Sequence, residues 1–208
     1  MHIDLNDKKP NHIYHLMTQT VIPRPIAWVL TDSSENSESA NLNLAPFSYF
    51  TAVSSNPPLL MISVGKKPNG DNKDTFQNAI NGSKLVIHIA SGDQYADVTK
   101  SAATLEHGES EIEYTNLVTT KFDDFELPRL KNCDVAFACE LYETKEIGDT
   151  PQQLIFCKVL KIYINDEVID QDEKGRMLVD AKKVSPLARL GASQYSLFGE
   201  IISQARPK

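Results

Sequence analysis

The sequence predicts a mainly β domain, a barrel with a few peripheral helices, and two observations carry that expectation. At least six segments have strand chemistry: runs of β-branched and apolar residues, several alternating with period two, bounded by turn residues. These segments follow one another without the regular helix alternation of a doubly wound sheet, and a barrel fits that order best. The 208 residues have the length for one sizeable core. They are read as a single domain, 1–208, with an N-terminal arm over roughly residues 1–20.

In chain order, the arm is polar with an apolar thread through Ile13, Leu16 and Met17, consistent with a short helix or a packed arm. His12 and His15 stand three apart, but no Cys, Asp or Glu completes a ligand set at a recognisable spacing. Pro23–Thr31, PRPIAWVLT, sets Ile26, Trp28 and Leu30 against Ala27, Val29 and Thr31, the pattern of a strand buried on both faces. Arg24 lies between two prolines. A cation on so stiff a segment loses little freedom on binding an anion or stacking on a ring, although it also reads as a plain surface arginine. Asp32–Ala40 is polar or small throughout and is expected to be an exposed loop.

The stretch Asn43–Leu60, NLAPFSYFTAVSSNPPLL, is apolar enough to be buried yet carries Asn43, Ser48, Thr51, Ser54 and Ser55. Buried hydroxyls and amides need partners in the backbone, in water or in a ligand. Pro46, Pro57 and Pro58 confine pairing to the residues between them, so a short strand or turn is expected over Phe47–Ala52, then a break, then a strand over Leu59–Gly65. Two readings stand: a wall for a flat, polyhydroxylated, negatively charged ligand, or two core strands joined by a Ser/Asn/Pro turn.

Lys66–Asn72 has strong turn chemistry, and Asn72–Ser83 switches to a helical pattern. Asp74 followed by Gln77 is a capping-box signature, Phe76, Ala79 and Ile80 share a face, and Gly82 is the stop. Lys73 and Thr75 flank the start of this helix, where free amides and the dipole favour an anion. The Asp74 carboxylate is expected to cap the helix and push an anion to one side; a merely well-capped surface helix is the alternative. Lys84–Ser91 reads as a strand in which His88 is a hydrogen-bonded core residue, and Tyr95–Leu105 as a helix. Glu106–Phe125 is acidic and weakly periodic, a solvated excursion rather than a pocket cover. Two strands, from Val135 and over Gln153–Asn165, form a hairpin through the Gly148–Pro151 turn. A connector with a Lys174-Gly175 turn leads to Ala188–Ile201, where Gly191 and Gly199 bracket Tyr195 and Phe198.

A net charge of -7 argues against nucleic acid or an anionic membrane as partner, so any phosphate must be held by a few local cations and amides. With no membrane-length apolar run and no signal-like N-terminus, the expected compartment is the cytoplasm. Cys133, Cys139 and Cys157 form no C-x-x-C pair and read as reduced core thiols. There is no G-x-G-x-x-G after a strand, no phosphate loop, no H-E-x-x-H and no G-x-S-x-G.

Four separated motifs then fall in register: PRPIAWVLT, NLAPFSYFTAVSSNPPLL, the KDT-x-x-N of Lys73–Asn78, and ARLG-x-x-x-Y followed by GEI. Over roughly residues 13–202 they resemble the flavin reductase-like family of FMN-binding split barrels. His88 departs from the Asn common there, and Ala192 from a second Gly. The resemblance implies a six-stranded split barrel, a homodimer and one FMN per protomer at the interface. It puts the flavin ring against Arg24, Pro25, Ile26, Ala27 and Trp28 and the wall of Asn43, Ala45, Pro46, Phe47, Ser48 and Thr51. The phosphate would lie near Ser48, Lys73 and Thr75, with Asp74 and Asn78 in the same helix start. Leu190–Tyr195 would close the site through Tyr195, from the same or the neighbouring chain. The implied activity is hydride transfer from NADH or NADPH to flavin with no acid or base side chain, the reduced flavin passing to a monooxygenase component. An FMN-bound electron carrier that uses no nicotinamide and a non-redox flavin-binding barrel are the alternatives.

Overall fold

The structure is a computed structural model that describes residues 1–34, 41–103, 105, 109–149, 151–205 and 207. Helix α1 (Pro10–Thr20) begins on a proline, whose missing N–H costs nothing at that position, and buries only Thr18. Strands β1 (Arg24–Pro25) and β2 (Ala27–Asp32) follow, and Ala27, Trp28, Val29 and Leu30 have no exposed surface. The loop expected at Asp32–Ala40 lies for the most part outside the described residues.

The wall is two strands rather than the short strand or turn expected over Phe47–Ala52. They are β3 (Leu42–Phe47) and β4 (Phe50–Ser55), with the chain turning at Ser48 and Tyr49. Pro46 is tolerated because β3 is an edge strand that, among the described residues, pairs only with β2, where Pro46 stands opposite Trp28. β5 (Pro58–Val64) pairs back on β4, the Asn56–Pro57 step making the turn.

Helix α2 (Asp74–Gly82) does not form the expected capping box. Lys73 is its N-cap and no side chain caps it; Asp74 is the first helical residue, and its carboxylate pairs with Lys67 at 2.9 Å instead. Its buried face is Thr75, Phe76, Asn78 and Ala79, while Ile80, expected inside, is 45% exposed.

Next come β6 (Lys84–Ile89) and α3 (Tyr95–Lys100), which stops five residues before the Leu105 expected. The segment 106–125, expected to be solvated, is instead built into the fold over its described part. There α4 (Glu111–Thr115) buries Glu111 and Thr115, Phe122 is a core residue, and Ile112, Leu117 and Phe125 pack beside it. The chain completes with β7 (Thr119–Thr120), β8 (Arg129–Leu130), β9 (Val135–Ile147), β10 (Gln152–Ile164), β11 (Ile169–Gln171), β12 (Met177–Val179), α5 (Ala181–Val184), β13 (Ala188–Arg189) and β14 (Tyr195–Ser196). The β9–β10 hairpin and the Lys174-Gly175 turn fall where expected.

The principal sheet is antiparallel, in the order β3-β2-β6-β9-β10-β5-β4, so it has seven strands where six were expected. The extra strand comes from dividing the wall. Flat, the two edge strands would stand about 29 Å apart, at ~4.8 Å per strand step. The link from Phe47 through Ser48 and Tyr49 to Phe50 joins those same two edges and reaches only about 11 Å. The sheet therefore curls on itself into an open barrel, with no hydrogen-bonded ladder between β3 and β4 among the described residues.

Two cores result, one on each face of β2 and β6. One joins Ala27, Val29, Leu85 and Ile87 to Phe76 and Ala79 of α2 and to Ile62 and Ile155; the other joins Trp28, Leu30 and Val86 to Val98, Phe122 and Leu130. Cys133, Cys139 and Cys157 are all buried and free. Among the described residues, no helix is long and apolar enough to cross a membrane.

Candidate functional site

A cleft of about 290 Å³ opens where β3, the start of α2 and α4 meet. Its floor is a polar network centred on Asn43. The Asn43 carbonyl oxygen accepts from Thr75 Oγ1 at 3.1 Å and Thr31 Oγ1 at 3.3 Å, and its Nδ2 donates to both Glu111 oxygens at 2.8 and 3.0 Å. Asn78 Nδ2 in turn donates to Thr31 Oγ1 at 3.1 Å, so the Thr31 hydroxyl proton points to Asn43 and fixes its amide orientation. Glu111 also accepts the Leu44 N–H at 2.9 Å. Burial pushes the Glu111 carboxyl above its ordinary value, against the pull of the donors from Leu44 and Asn43.

One side of the cleft is cationic. Lys66, Lys67 and Lys73 line it, facing two carboxylates, Asp74 and Glu111. Lys67 is committed to Asp74 and Lys66 donates to Asn72 Oδ1 at 2.5 Å. Lys73 has no ion pair among the described residues; its ammonium stands 5.7 Å from the centre of the Phe47 ring. Burial, then the Lys67 charge, lower its pKa. Ala45, Pro46 and Pro68 give the cleft an apolar side.

Of the residues expected from sequence, Asn43, Ala45, Pro46, Lys73, Asp74 and Thr75 meet here, with Phe47 beneath Lys73 and Asn78 in the network below. The others are placed elsewhere. Ala27 and Trp28 have no exposed surface and Ile26 has 3%, so they support the site from behind; Trp28 reaches its wall only through Nε1–H donated to Ser101 Oγ at 2.8 Å. Arg24 is 5% exposed, and four of its five N–H groups are used inside the protein. They go to Ser48 Oγ at 3.3 Å, Val21 O at 3.0 Å, Leu190 O at 2.9 Å and Thr18 O. Arg24 and Ser48 thus form a second cluster beside the cleft, joined to it through Phe47. Pro25 and Thr51 are exposed, and Tyr195 packs on Arg189 and meets Thr99 Oγ1 through its hydroxyl at 2.9 Å.

Sequence reasoning missed Lys66, Lys67, Ser101 and Glu111. The two lysines were hidden in a turn read only for its Asn-Gly chemistry. The signal for Glu111 was the apolar spacing of Ile112, Leu117, Phe122 and Phe125 within an acidic stretch, which marks a packed segment.

The family model for the flavin reductase like domain matches residues 17–186. The chain belongs to that family. Its relatives include the uncharacterized protein YwrF of Bacillus subtilis, 36% identical over 198 residues and covering 93% of each chain. Among solved structures, nitrilotriacetate monooxygenase component B from Bacillus cereus superimposes with a TM-score of 0.86 at 32% identity, over 98% of both chains. The 2-nitrobenzoate 2-nitroreductase NbaA of Pseudomonas fluorescens does so at 0.85 and 27%, over 100% of this chain and 96% of its own. The architecture is therefore that of the flavin reductase split barrels.

Proposed function

We propose that the protein binds FMN with its phosphate in the Lys73 end of the cleft and acts as a flavin reductase, taking hydride from NADH or NADPH. One observation carries the reading. In a chain of net charge -7, Lys73, which has no ion pair among the described residues, stands in the cleft beside the backbone N–H groups at the positive end of α2. The cleft fits the group in part. Its volume of about 290 Å³ is at the lower limit of small-molecule sites, ~300–1,000 Å³. It takes a phosphate and a polyol chain and leaves a ring at the mouth, beside Pro46 and Ser48, where a second ring can approach.

Flavin, when bound, supplies the two-electron chemistry. The chain supplies position. Lys73 and the backbone N–H of Thr75 hold the phosphate, Asn43 presents a rigid polar floor, and Ala45 with Pro46 gives the ring an apolar ledge. No side chain is required as acid or base. We further propose that the reduced flavin serves a monooxygenase component in the cytoplasm, a reading supported by the component B relative. Exposed Val53, Leu197, Phe198 and Ile202 support a homodimer in which Leu190–Tyr195 of a neighbouring chain closes the site.

The test is anaerobic mixing of the FMN-loaded protein with NADH or NADPH. Rapid bleaching of the flavin band is expected. Bleaching by dithionite alone would replace this reading with an electron carrier, and a protein that takes up no FMN would overturn both.

A further inference from the structure

Glu111 is 5% exposed, lies in the cleft wall and has no cation within ion-pair distance among the described residues. Among the described residues its partners are N–H groups, from Asn43 on both oxygens, from Leu44 on one and from its own backbone, the donor pattern of a carboxylate. A single side-chain amide, that of Asn43, separates it from the Thr75 hydroxyl. Other described charges belong to the same cleft. Asp74 of α2 adds repulsion, Lys67 is bound to Asp74, and Lys66 and Lys73 also line the cleft without an ion pair to Glu111 among the described residues. Glu113, on the same helix, is exposed. An anion seated on Lys73 and the start of α2 therefore brings a like charge into a half-enclosed space shared with a buried carboxylate that pairs with no cation among the described residues. Two close negative charges in such a space are relieved when one takes a proton.

Resting on the phosphorylated-flavin reading, we propose that Glu111 is a specificity residue of the cleft that takes a proton from solvent when a phosphate-bearing ligand binds, making recognition of the phosphate proton-coupled. Proton and charge balance is simple: one proton leaves the buffer, Glu111 becomes a neutral carboxylic acid, and no other bond changes. The same fold thus admits an anion or a neutral ligand, but only the anion draws a proton.

The test is calorimetric titration of the protein with FMN and with riboflavin at about pH 7.5, where free FMN phosphate is already almost wholly dianionic. Buffers of different ionisation enthalpy then give the protons taken up. Wild type is expected to take up close to one proton with FMN and none with riboflavin, and its FMN affinity to fall as much as tenfold per pH unit as pH rises. Glu111→Gln is expected to abolish the uptake and tighten FMN at this pH. Equal uptake in Glu111→Gln would assign the proton to Lys73 and overturn the proposal, as would FMN binding to wild type with no uptake. Failure of wild type to bind FMN would remove the flavin reading itself. If Glu111→Gln does not fold, infrared difference spectra of wild type labelled with 13C-glutamate decide: an isotope-shifted protonated-carboxyl band must appear on FMN binding, and its absence overturns the proposal.

Discussion

His88 shows how much one side chain can reveal about its surroundings. It has no exposed surface; Nε2 accepts the Leu130 N–H at 2.9 Å, so Nδ1 carries the proton and donates to Trp28 O at 3.0 Å. Burial lowers its pKa from 6.5 to about 4. The folded state thus binds fewer protons than the unfolded state between those values. Stability from this group is complete above the unfolded value and is lost as pH falls toward the folded one, amounting to about 3 kcal/mol. Urea titrations from pH 7 to 4 should show that loss, and His88→Asn should flatten it; an unchanged slope would mean that carboxylates dominate acid unfolding. His88 was legible in the sequence as a bonded core residue because it sits on a strand buried on both faces. Glu111 was not, because its partners are 67 and 68 residues away and no local spacing announces them.

Among the elements, the clamp around Arg24 is the clearest case of a local rule overridden by tertiary structure. The prolines on either side suggest a cation held stiffly for a ligand, yet the guanidinium turns inward. It gathers the end of α1, the Ser48 turn and the Leu190 loop. Gly191 lets that loop lie against α1, since a Cβ there would meet Gln19 Cγ at 2.3 Å. Arg24→Ala should cost about 2–4 kcal/mol and raise amide exchange across residues 10–21. Arg24→Lys should not restore it, because an ammonium cannot serve several separate carbonyls as the fork does. Normal exchange in α1 with selective loss of flavin affinity would instead make Arg24 a ligand contact. The strands β2, β6, β9 and β10 were legible from alternation and apolar runs. The division of the wall into β3 and β4 was not, because Pro46 marks a break unless one knows that the strand lies on an edge.

At the scale of the whole molecule, the curl of the sheet is what brings the wall, the start of α2 and α4 to one place, and no pair of adjacent segments encodes it. The sequence contains one tryptophan, Trp28, and its indole is hydrogen-bonded to a residue of the cleft wall. Flavin binding in the cleft should therefore quench most of the intrinsic tryptophan fluorescence by energy transfer, saturably; binding without quenching would put the flavin far from this end of the barrel. The most direct test of the phosphate assignment compares two ligands that differ only in that group. Dissociation constants for FMN and riboflavin should be measured on wild type and Lys73→Ala. Loss of one charge-assisted contact, about 1.5–3 kcal/mol, predicts that FMN weakens roughly 10- to 100-fold while riboflavin changes less than about twofold. Equal weakening of both ligands, or of neither, would contradict the placement of the phosphate at Lys73.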